Sequence, residues 1–220
     1  MDSSALLINR LQDFILLAPG IFIALTFHEF AHAYVAFRLG DPTAKLNGRL
    51  TLNPLAHLDP MGTIMLFLFR FGWAKPVPVD PRNLKNPKRD MLWISAAGPL
   101  MNMLLAVVSG IAIRIFLATD LAYSSPQSNM GTLFQMLSLS LQINLVLAFF
   151  NLLPIPPLDG SKIFAGLLPD RYAHQIYMVE RKGPMILFGI IIFGMITGVH
   201  ILGMLIHPFV NVFYSLFAGI

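Results

Sequence analysis

The chain has 220 residues, of which 56% are hydrophobic and 12% charged, whereas soluble proteins average about 45–50% and about 25%. This composition excludes a soluble globular protein and predicts an all-α integral membrane protein with about four to six transmembrane helices. The absence of cysteine excludes disulfides and thiolate metal sites. The net charge of +4 is typical of basic loops beside a membrane, so we expect no nucleic-acid partner.

The first predicted span covers residues 14–39 and contains the sequence HEFAH at 28–32. His28 and His32 are four residues apart and therefore lie on one face of a helix. Two imidazoles in this arrangement can bind zinc, and Glu29 can act as general base on a water molecule that the metal activates. Ionisable groups inside an apolar span are costly and indicate a functional site. We therefore predict that both histidines bind metal and that Glu29 is catalytic.

Residues 43–90, which follow this span, are mixed in character, and they predict a small β-ribbon that dips toward the membrane. Residues 48–53 alternate as a strand does, and the prolines within 73–80 confine that stretch to a sheet edge or an extended loop. The apolar run 61–69 is too short to cross a membrane and is predicted to be interfacial or re-entrant. A plain cytoplasmic loop is the alternative.

The second and third predicted spans, residues 91–118 and 132–153, each contain an asparagine whose amide would lie in the membrane. Asn102 closes the sequence AGPLMN, and Asn151 opens the sequence NLLPIPPLDG. Each amide must find a hydrogen-bond partner in the membrane. Both are candidate substrate-binding residues that could contact the substrate backbone or the developing oxyanion. A hydrogen bond between helices is the alternative, and it is favoured for Asn102.

A catalytic zinc site needs a third protein ligand, and Asp159 is the favoured candidate. The prolines at 154–157 rule out regular helix before it, and irregular backbone at membrane depth is tolerated only when it is buried in protein or lines a wet cavity. His57 and Asp59 are rivals because they precede the short apolar run. A helix N-cap is the alternative role for Asp159.

The C-terminal region, residues 184–220, contains no charged residue. It is long for one span and short for two, and a turn could lie at residues 198–200 or at 207–208. Nothing in the chain indicates a repeat or a linker, so residues 1–220 are predicted to form one domain.

The distribution of Lys and Arg predicts the orientation in the membrane. Residues 40–90 hold eight of the fifteen basic residues, residues 154–183 hold four, and residues 119–132 hold none. Basic segments face the cytoplasm. We therefore expect the first two segments to be cytoplasmic, the third external, and the metal site nearer the cytoplasmic side of a prokaryotic cell membrane.

The three motifs, HEFAH, AGPLMN and NLLPIPPLDG, resemble in type and order those of the site-2 protease family of intramembrane zinc metalloproteases. The similarity covers residues 15–168, and the region 184–220 matches no motif of the family. The resemblance implies one Zn²⁺ per chain, held by His28, His32 and Asp159. It also implies that Glu29 is the catalytic acid and base, that Asn151 assists substrate or transition-state binding, and that residues 43–82 form an edge hairpin.

The resemblance further implies hydrolysis of peptide bonds in transmembrane substrate segments, in regulated intramembrane proteolysis or in membrane-protein turnover. The longest predicted loop is too short for the PDZ or CBS domain that many members carry, so a compact form is expected. A catalytically silent zinc-binding scaffold and a metal transporter are the alternatives. The presence of Glu29 argues against the first, and the lack of charge in the later spans argues against the second.

Overall fold

The computed structural model describes residues 3–69, 72–119 and 128–220, and these residues form eight α-helices joined by turns and irregular segments. The prediction of an all-α protein is therefore confirmed. Short 3-10 turns lie at Pro54–Ala56, Pro81–Asn83 and Asp170–Tyr172. The helices are α1 (Ser3–Arg38), α2 (Thr43–Leu46), α3 (Pro60–Phe69), α4 (Pro87–Leu117), α5 (Asn129–Asn151), α6 (Asp159–Leu167), α7 (Ala173–Thr197) and α8 (Ile201–Ala218).

In the parts of the chain that the structure describes, four helices are long and apolar enough to cross a membrane. They are α1 from residue Ile15 onward, α4, α5 and α8. These helices agree with an integral membrane protein, and their number among the described residues lies at the lower end of the predicted range. Most of the predicted external loop, residues 120–127, lies outside the described residues.

Helix α4 lies at the centre of the fold and contacts α1, α5, α6 and α8. Ala106 and Ile113 of α4 form a buried apolar core together with Leu141 and Leu145 of α5 and Val210 of α8. Helix α1 packs against α4 and α5, and four of its alanines are buried, as small residues are where helices approach closely in membrane bundles. These alanines are Ala24, Ala31, Ala33 and Ala36.

The C-terminal region forms two helices. The turn lies at residues 198–200, where Gly198 ends α7 with a left-handed φ of 75°, and Pro208 lies inside α8. The Nε atom of Arg114 donates to the carbonyl oxygen of Phe217 at 2.7 Å. Because the last carbonyls of a helix have no partner within the helix, this bond ties the end of α8 to the end of α4.

The predicted β-hairpin within residues 43–82 is wrong. The described residues of this region contain no strand, only an isolated antiparallel bridge between Leu58 and Ala74. No ladder continues from this bridge toward residue 80, because the partner residues 54–56 form a 3-10 turn and the N–H of Val77, the next donor in register, bonds to Glu29 instead. The short apolar run forms helix α3 instead.

Residues 72–80, which we call the strap, form an extended connection instead of a hairpin strand. At one end, the N–H of Lys75 donates to the carbonyl of His57 at 2.8 Å. At the other end, the N–H of Asp80 donates to the Oδ2 atom of Asp41 at 2.8 Å. Asp41 is fully buried just after α1, so the strap is anchored to the helix that carries the HEFAH sequence.

Candidate metal centre

The two histidines of α1 and Asp159 of α6 converge on one point. The Nε2 atoms of His28 and His32 are 3.0 Å apart. The Oδ2 atom of Asp159 lies 3.1 Å from the first of these nitrogens and 3.2 Å from the second. One ligand atom from each residue lies within 4.8 Å of the other two. The structure thus brings together the three residues that were predicted as ligands.

Hydrogen bonds on the far side of each imidazole determine which nitrogen carries the proton. The Nδ1 atom of His28 lies 2.6 Å from Oδ1 of Asn102, and Nδ1 of His32 lies 2.6 Å from the carbonyl oxygen of Ile94. These oxygens only accept hydrogen bonds, so each Nδ1 must carry a hydrogen. Each Nε2 therefore presents a lone pair to the point of convergence.

Two lone pairs at 3.0 Å cannot bond to each other, so this arrangement requires a cation or a proton between them. The Oδ2 atom of Asp159 is buried and has no hydrogen-bond donor among the described residues. Two imidazole nitrogens and one carboxylate oxygen are a common protein donor set for zinc, and three protein ligands are the number that catalytic zinc sites use. The residues present therefore fit a zinc ion.

Gly98 of α4 lies directly against the two imidazoles. A Cβ atom at this position would lie 2.4 Å from Nε2 of His32 and 2.6 Å from Nε2 of His28. Any larger residue would therefore displace the ligands. The sequence indicated a close helix contact at Gly98 but not its partners. Its position four residues before Asn102, on the same helix face, is the signal that could have placed both beside the histidines.

Asp159 reaches the site because α5 ends at Asn151 and the chain turns before α6 begins. Gly160 permits this turn, since a Cβ there would lie 2.2 Å from the carbonyl oxygen of Leu152. The side chain of Asp159 makes no capping hydrogen bond to α6, whose N-cap residue is Leu158. The alternative role of helix cap is therefore not observed.

The rival ligands have other partners. The Nε2 atom of His57 lies 2.8 Å from the carbonyl oxygen of Thr51, and Oδ1 of Asp59 accepts the N–H of Gly62 at 2.8 Å. His57 is almost completely buried. Neither residue joins the cluster of potential ligands that the described residues form around the two imidazoles.

Glu29 faces a cavity of about 420 Å³ that also contains the potential metal ligands. Its Oε2 atom accepts the N–H of Val77 at 3.0 Å, so the strap lies across the carboxylate. Sequence reasoning did not connect the strap with Glu29, because 48 residues separate the two partners. It also did not place Lys162 of α6 or Ile191 of α7 at the cavity, and both line it.

The two candidate substrate-binding asparagines lie in different surroundings. Asn151 lines the cavity, and its Nδ2 donates to the carbonyl of Leu147 at 3.0 Å. Its role in substrate binding remains a prediction. Asn102 is fully buried behind His28. A substrate contact does not fit this position, because no part of the side chain is exposed to the cavity.

Comparison with known proteins identifies relatives over most of the chain. The sequence profile of peptidase family M50 matches residues 115–197. "Putative zinc metalloprotease YwhC" of Bacillus subtilis is 43% identical over 163 residues, which cover 74% of each chain. "Putative zinc metalloprotease Rip2" of Mycobacterium tuberculosis is 30% identical over 187 residues, which cover 82% of this chain and 67% of the relative.

A more distant relative is "Zinc metalloprotease MJ0392" of Methanocaldococcus jannaschii, which is 26% identical over 179 residues, covering 80% of this chain and 42% of the relative. No solved structure matches the chain significantly. The bacterial relative from Bacillus subtilis is named as a zinc metalloprotease. This name agrees with the cluster of potential zinc ligands and with the apolar helices of the structure. The chain therefore belongs to peptidase family M50, the site-2 protease family of membrane zinc metalloproteases, and its cofactor is Zn²⁺.

Proposed function

We propose that this protein is an intramembrane zinc-dependent endopeptidase that hydrolyses peptide bonds in transmembrane segments of other proteins. One observation carries this proposal: Glu29 and the three potential ligands share one cavity, and two of these ligands lie on a helix long enough to cross a membrane. In this proposal His28, His32 and Asp159 hold the metal.

The residues of the cavity can perform each proton transfer that peptide hydrolysis requires. Zinc, when bound, supplies a Lewis acid that activates water and polarises the scissile carbonyl. Glu29 accepts a proton from the attacking water and delivers it to the amine nitrogen as the carbon–nitrogen bond breaks. The N–H of Val77 holds Oε2 of Glu29, and we assign the proton transfer to Oε1.

The lining of the cavity supports a transmembrane substrate. Apolar side chains from four helices dominate it, and they suit the apolar side chains of a membrane-spanning segment. They include Leu25 of α1, Met91 of α4, Phe150 of α5, and Leu187, Phe188 and Ile191 of α7.

The strap supports a substrate bound in extended conformation. Because Pro76 and Pro78 have no N–H, the strap can pair with a substrate strand mainly through its carbonyl oxygens. We propose that a transmembrane substrate unwinds locally and lies beside the strap, with Asn151 bonded to its backbone. A locally extended substrate also exposes the peptide bond that a helix would shield.

We further propose that the cavity opens toward the cytoplasm of a prokaryotic cell, where the protein acts in regulated proteolysis or membrane-protein turnover. The basic residues of 40–90 and 154–183 support this orientation. The chain contains no cysteine, so single cysteines can be introduced and labelled with an impermeant reagent. Labelling of residues 80–90 from the external side alone would reverse the orientation.

Substitution of the general base tests the proposed activity. In proteoliposomes with a fluorogenic transmembrane peptide, Glu29→Gln should retain zinc but lose about 10²- to 10⁴-fold in cleavage rate, the usual contribution of general acid–base catalysis. Glu180→Gln is the matched control, because Glu180 is an exposed residue of α7 and the only other glutamate of the chain. It should cleave at the wild-type rate.

The outcomes separate the three functional classes. Equal cleavage by wild type and Glu29→Gln would contradict the mechanism. Zinc flux into the vesicles without cleavage would indicate a transporter, and neither cleavage nor flux would indicate a scaffold. If cleavage depends on Glu29, a comparison of membrane-protein fragments from cells with wild type and with Glu29→Gln would identify the substrates.

A further inference from the structure

Asn102 links a potential zinc ligand to two other helices through three hydrogen bonds. Its Oδ1 atom lies 2.6 Å from Nδ1 of His28. Its Nδ2 atom donates to the carbonyl oxygen of Ala24 at 3.1 Å and to Oδ1 of Asn144 at 3.0 Å. Asn102 lies on α4, Asn144 on α5, and both side chains are fully buried. The bonds therefore connect α1, α4 and α5 behind the metal centre.

Backbone carbonyls determine how both amides are oriented. The carbonyl of Ala24 can only accept, so the NH₂ group of Asn102 must face it and Oδ1 must face His28. In Asn144, Nδ2 donates to the carbonyl oxygen of Ser140 at 2.9 Å, so Oδ1 must face Asn102. A reversed amide at either position would place two acceptors against each other in a buried site.

This order of donors and acceptors leaves His28 one tautomer. An oxygen faces Nδ1, so Nδ1 carries the hydrogen and Nε2 keeps the lone pair that a metal requires. His32 receives the same constraint from the backbone carbonyl of Ile94. The two imidazoles thus differ, because only His28 depends on a side chain that substitution can remove.

We propose that Asn102, itself oriented by Asn144, is a positioning residue that sets the tautomer and ring orientation of His28 and thereby strengthens zinc binding. The inference rests on the proposed ligand role of His28. A histidine ligand commonly donates its second N–H to such a partner, and loss of that partner typically reduces metal affinity or activity about 10- to 100-fold.

The test compares zinc affinities, measured by chelator competition on the purified protein in detergent. Asn102→Leu has a similar size but no acceptor for Nδ1, and it should bind zinc about 10- to 100-fold more weakly than wild type. Asn102→Asp keeps an oxygen that can face Nδ1, and it should bind zinc more tightly than Asn102→Leu. Asn144→Leu removes one of the two acceptors that orient Asn102 and should show a smaller loss.

Ser109→Ala is the matched control for helix packing. Ser109 of α4 lies 3.1 Å, between hydroxyl oxygens, from Ser140 of α5, so the variant removes a contact between the same two helices without touching His28. It should bind zinc as wild type does. The ligand-field absorption of the Co²⁺-substituted protein provides a second readout, which should change in Asn102→Leu and remain unchanged in Ser109→Ala.

His28→Ala separates failure of the inference from failure of the ligand assignment. If His28→Ala binds zinc as tightly as wild type, the ligand assignment of His28 and the inference about Asn102 are both wrong. If His28→Ala loses zinc but Asn102→Leu binds as tightly as Ser109→Ala, only the inference is wrong. The inference would also be overturned if Asn102→Asp and Asn102→Leu lost zinc affinity equally and if the melting temperatures of their apoproteins fell equally. If Asn102→Leu does not fold, equal affinities of Asn144→Leu and Ser109→Ala would overturn it.

Discussion

The metal centre has two sides that are built differently. On the helical side, α1 and α4 supply His28, His32, Gly98 and Asn102, and the helices satisfy their own backbone hydrogen bonds. On the irregular side, backbone N–H and C=O groups of the strap and of residues 152–158 are not used in the hydrogen bonds of a helix or a sheet. One of these groups, the N–H of Val77, reaches Glu29, and the turn before α6 presents Asp159.

The difference indicates that the two sides have different roles, one in metal binding and the other in turnover. Rigid helices hold the imidazoles through buried contacts that include the carbonyl of Ile94, whereas the irregular strap supplies to Glu29 a backbone N–H that a helix would use internally. Substitutions on the helical side should therefore change metal affinity. Substitutions in the strap should change turnover while the metal stays bound.

The largest expected effect tests whether the irregular side contributes a ligand. Asp159→Ala should reduce zinc affinity by more than about 100-fold, because loss of a direct ligand exceeds the effect of losing a supporting partner. His57→Ala and Asp59→Ala should bind zinc nearly as wild type does. Metal content under a competing chelator measures this difference. Zinc retention in Asp159→Ala, with loss in either other variant, would move the third ligand to residues 57–59.

The next effect tests the helical side. Gly98→Ala should weaken zinc binding about 10- to 100-fold, in the range seen when ligand orientation is disturbed, because the added methyl group would displace both imidazoles. Gly189→Ala is the control, since a Cβ there has no neighbour within 4 Å. Isothermal titration of the apoproteins with zinc measures both. Equal affinities in the two variants would show that α4 does not limit the position of the ligands.

An effect of similar size, on turnover instead of zinc affinity, is expected in the strap. Val77→Pro removes the N–H that holds Glu29 in a segment whose neighbouring prolines already favour extended backbone. Loss of a hydrogen bond to a charged group, about 1.5–3 kcal/mol, should lower kcat about 10- to 100-fold with zinc content unchanged. Val77→Ala keeps the N–H and should cleave nearly as wild type does. A parallel loss of zinc in Val77→Pro would contradict the division between the two sides.

The smallest effect concerns the anchor of the strap. Burial raises the pKa of Asp41, but hydrogen bonds from Thr43, Asn83 and the N–H of Asp80 outweigh this and lower the pKa below its ordinary value. The stability that these bonds contribute is therefore fully present above the unfolded pKa, about 4, and is lost as the pH falls through the folded pKa.

Asp41→Asn should consequently lower the melting temperature at pH 7, and the difference from wild type should shrink below about pH 4. Thermal unfolding of the two proteins across this pH range measures the difference. Cleavage should fall only a few-fold, because Val77 and Lys75 still hold the strap. A difference that is constant with pH would show that the charge of Asp41 does not anchor the strap.

Much of the fold and of the site could be predicted because the signals are local. Long apolar runs predict spans, and a spacing of four residues places His28 and His32 on one helix face. The proline-rich stretch predicted the break before Asp159, and the structure places this residue against both imidazoles. The hairpin prediction failed because alternation in residues 48–53 says nothing about whether a partner strand can donate hydrogen bonds.

The sequence by itself determined the class of protein, the first three helices that can cross a membrane, and the placement of His28 and His32 on one helix face, since these depend on composition and on neighbours within one or two helical turns. Only the tertiary structure decided that Gly98 and Ile94 lie against the imidazoles, that Asn102 faces His28, and that Val77 holds Glu29. Each of these contacts joins segments 48 to 74 residues apart. Such pairs follow from how the helices pack, which local periodicity does not specify.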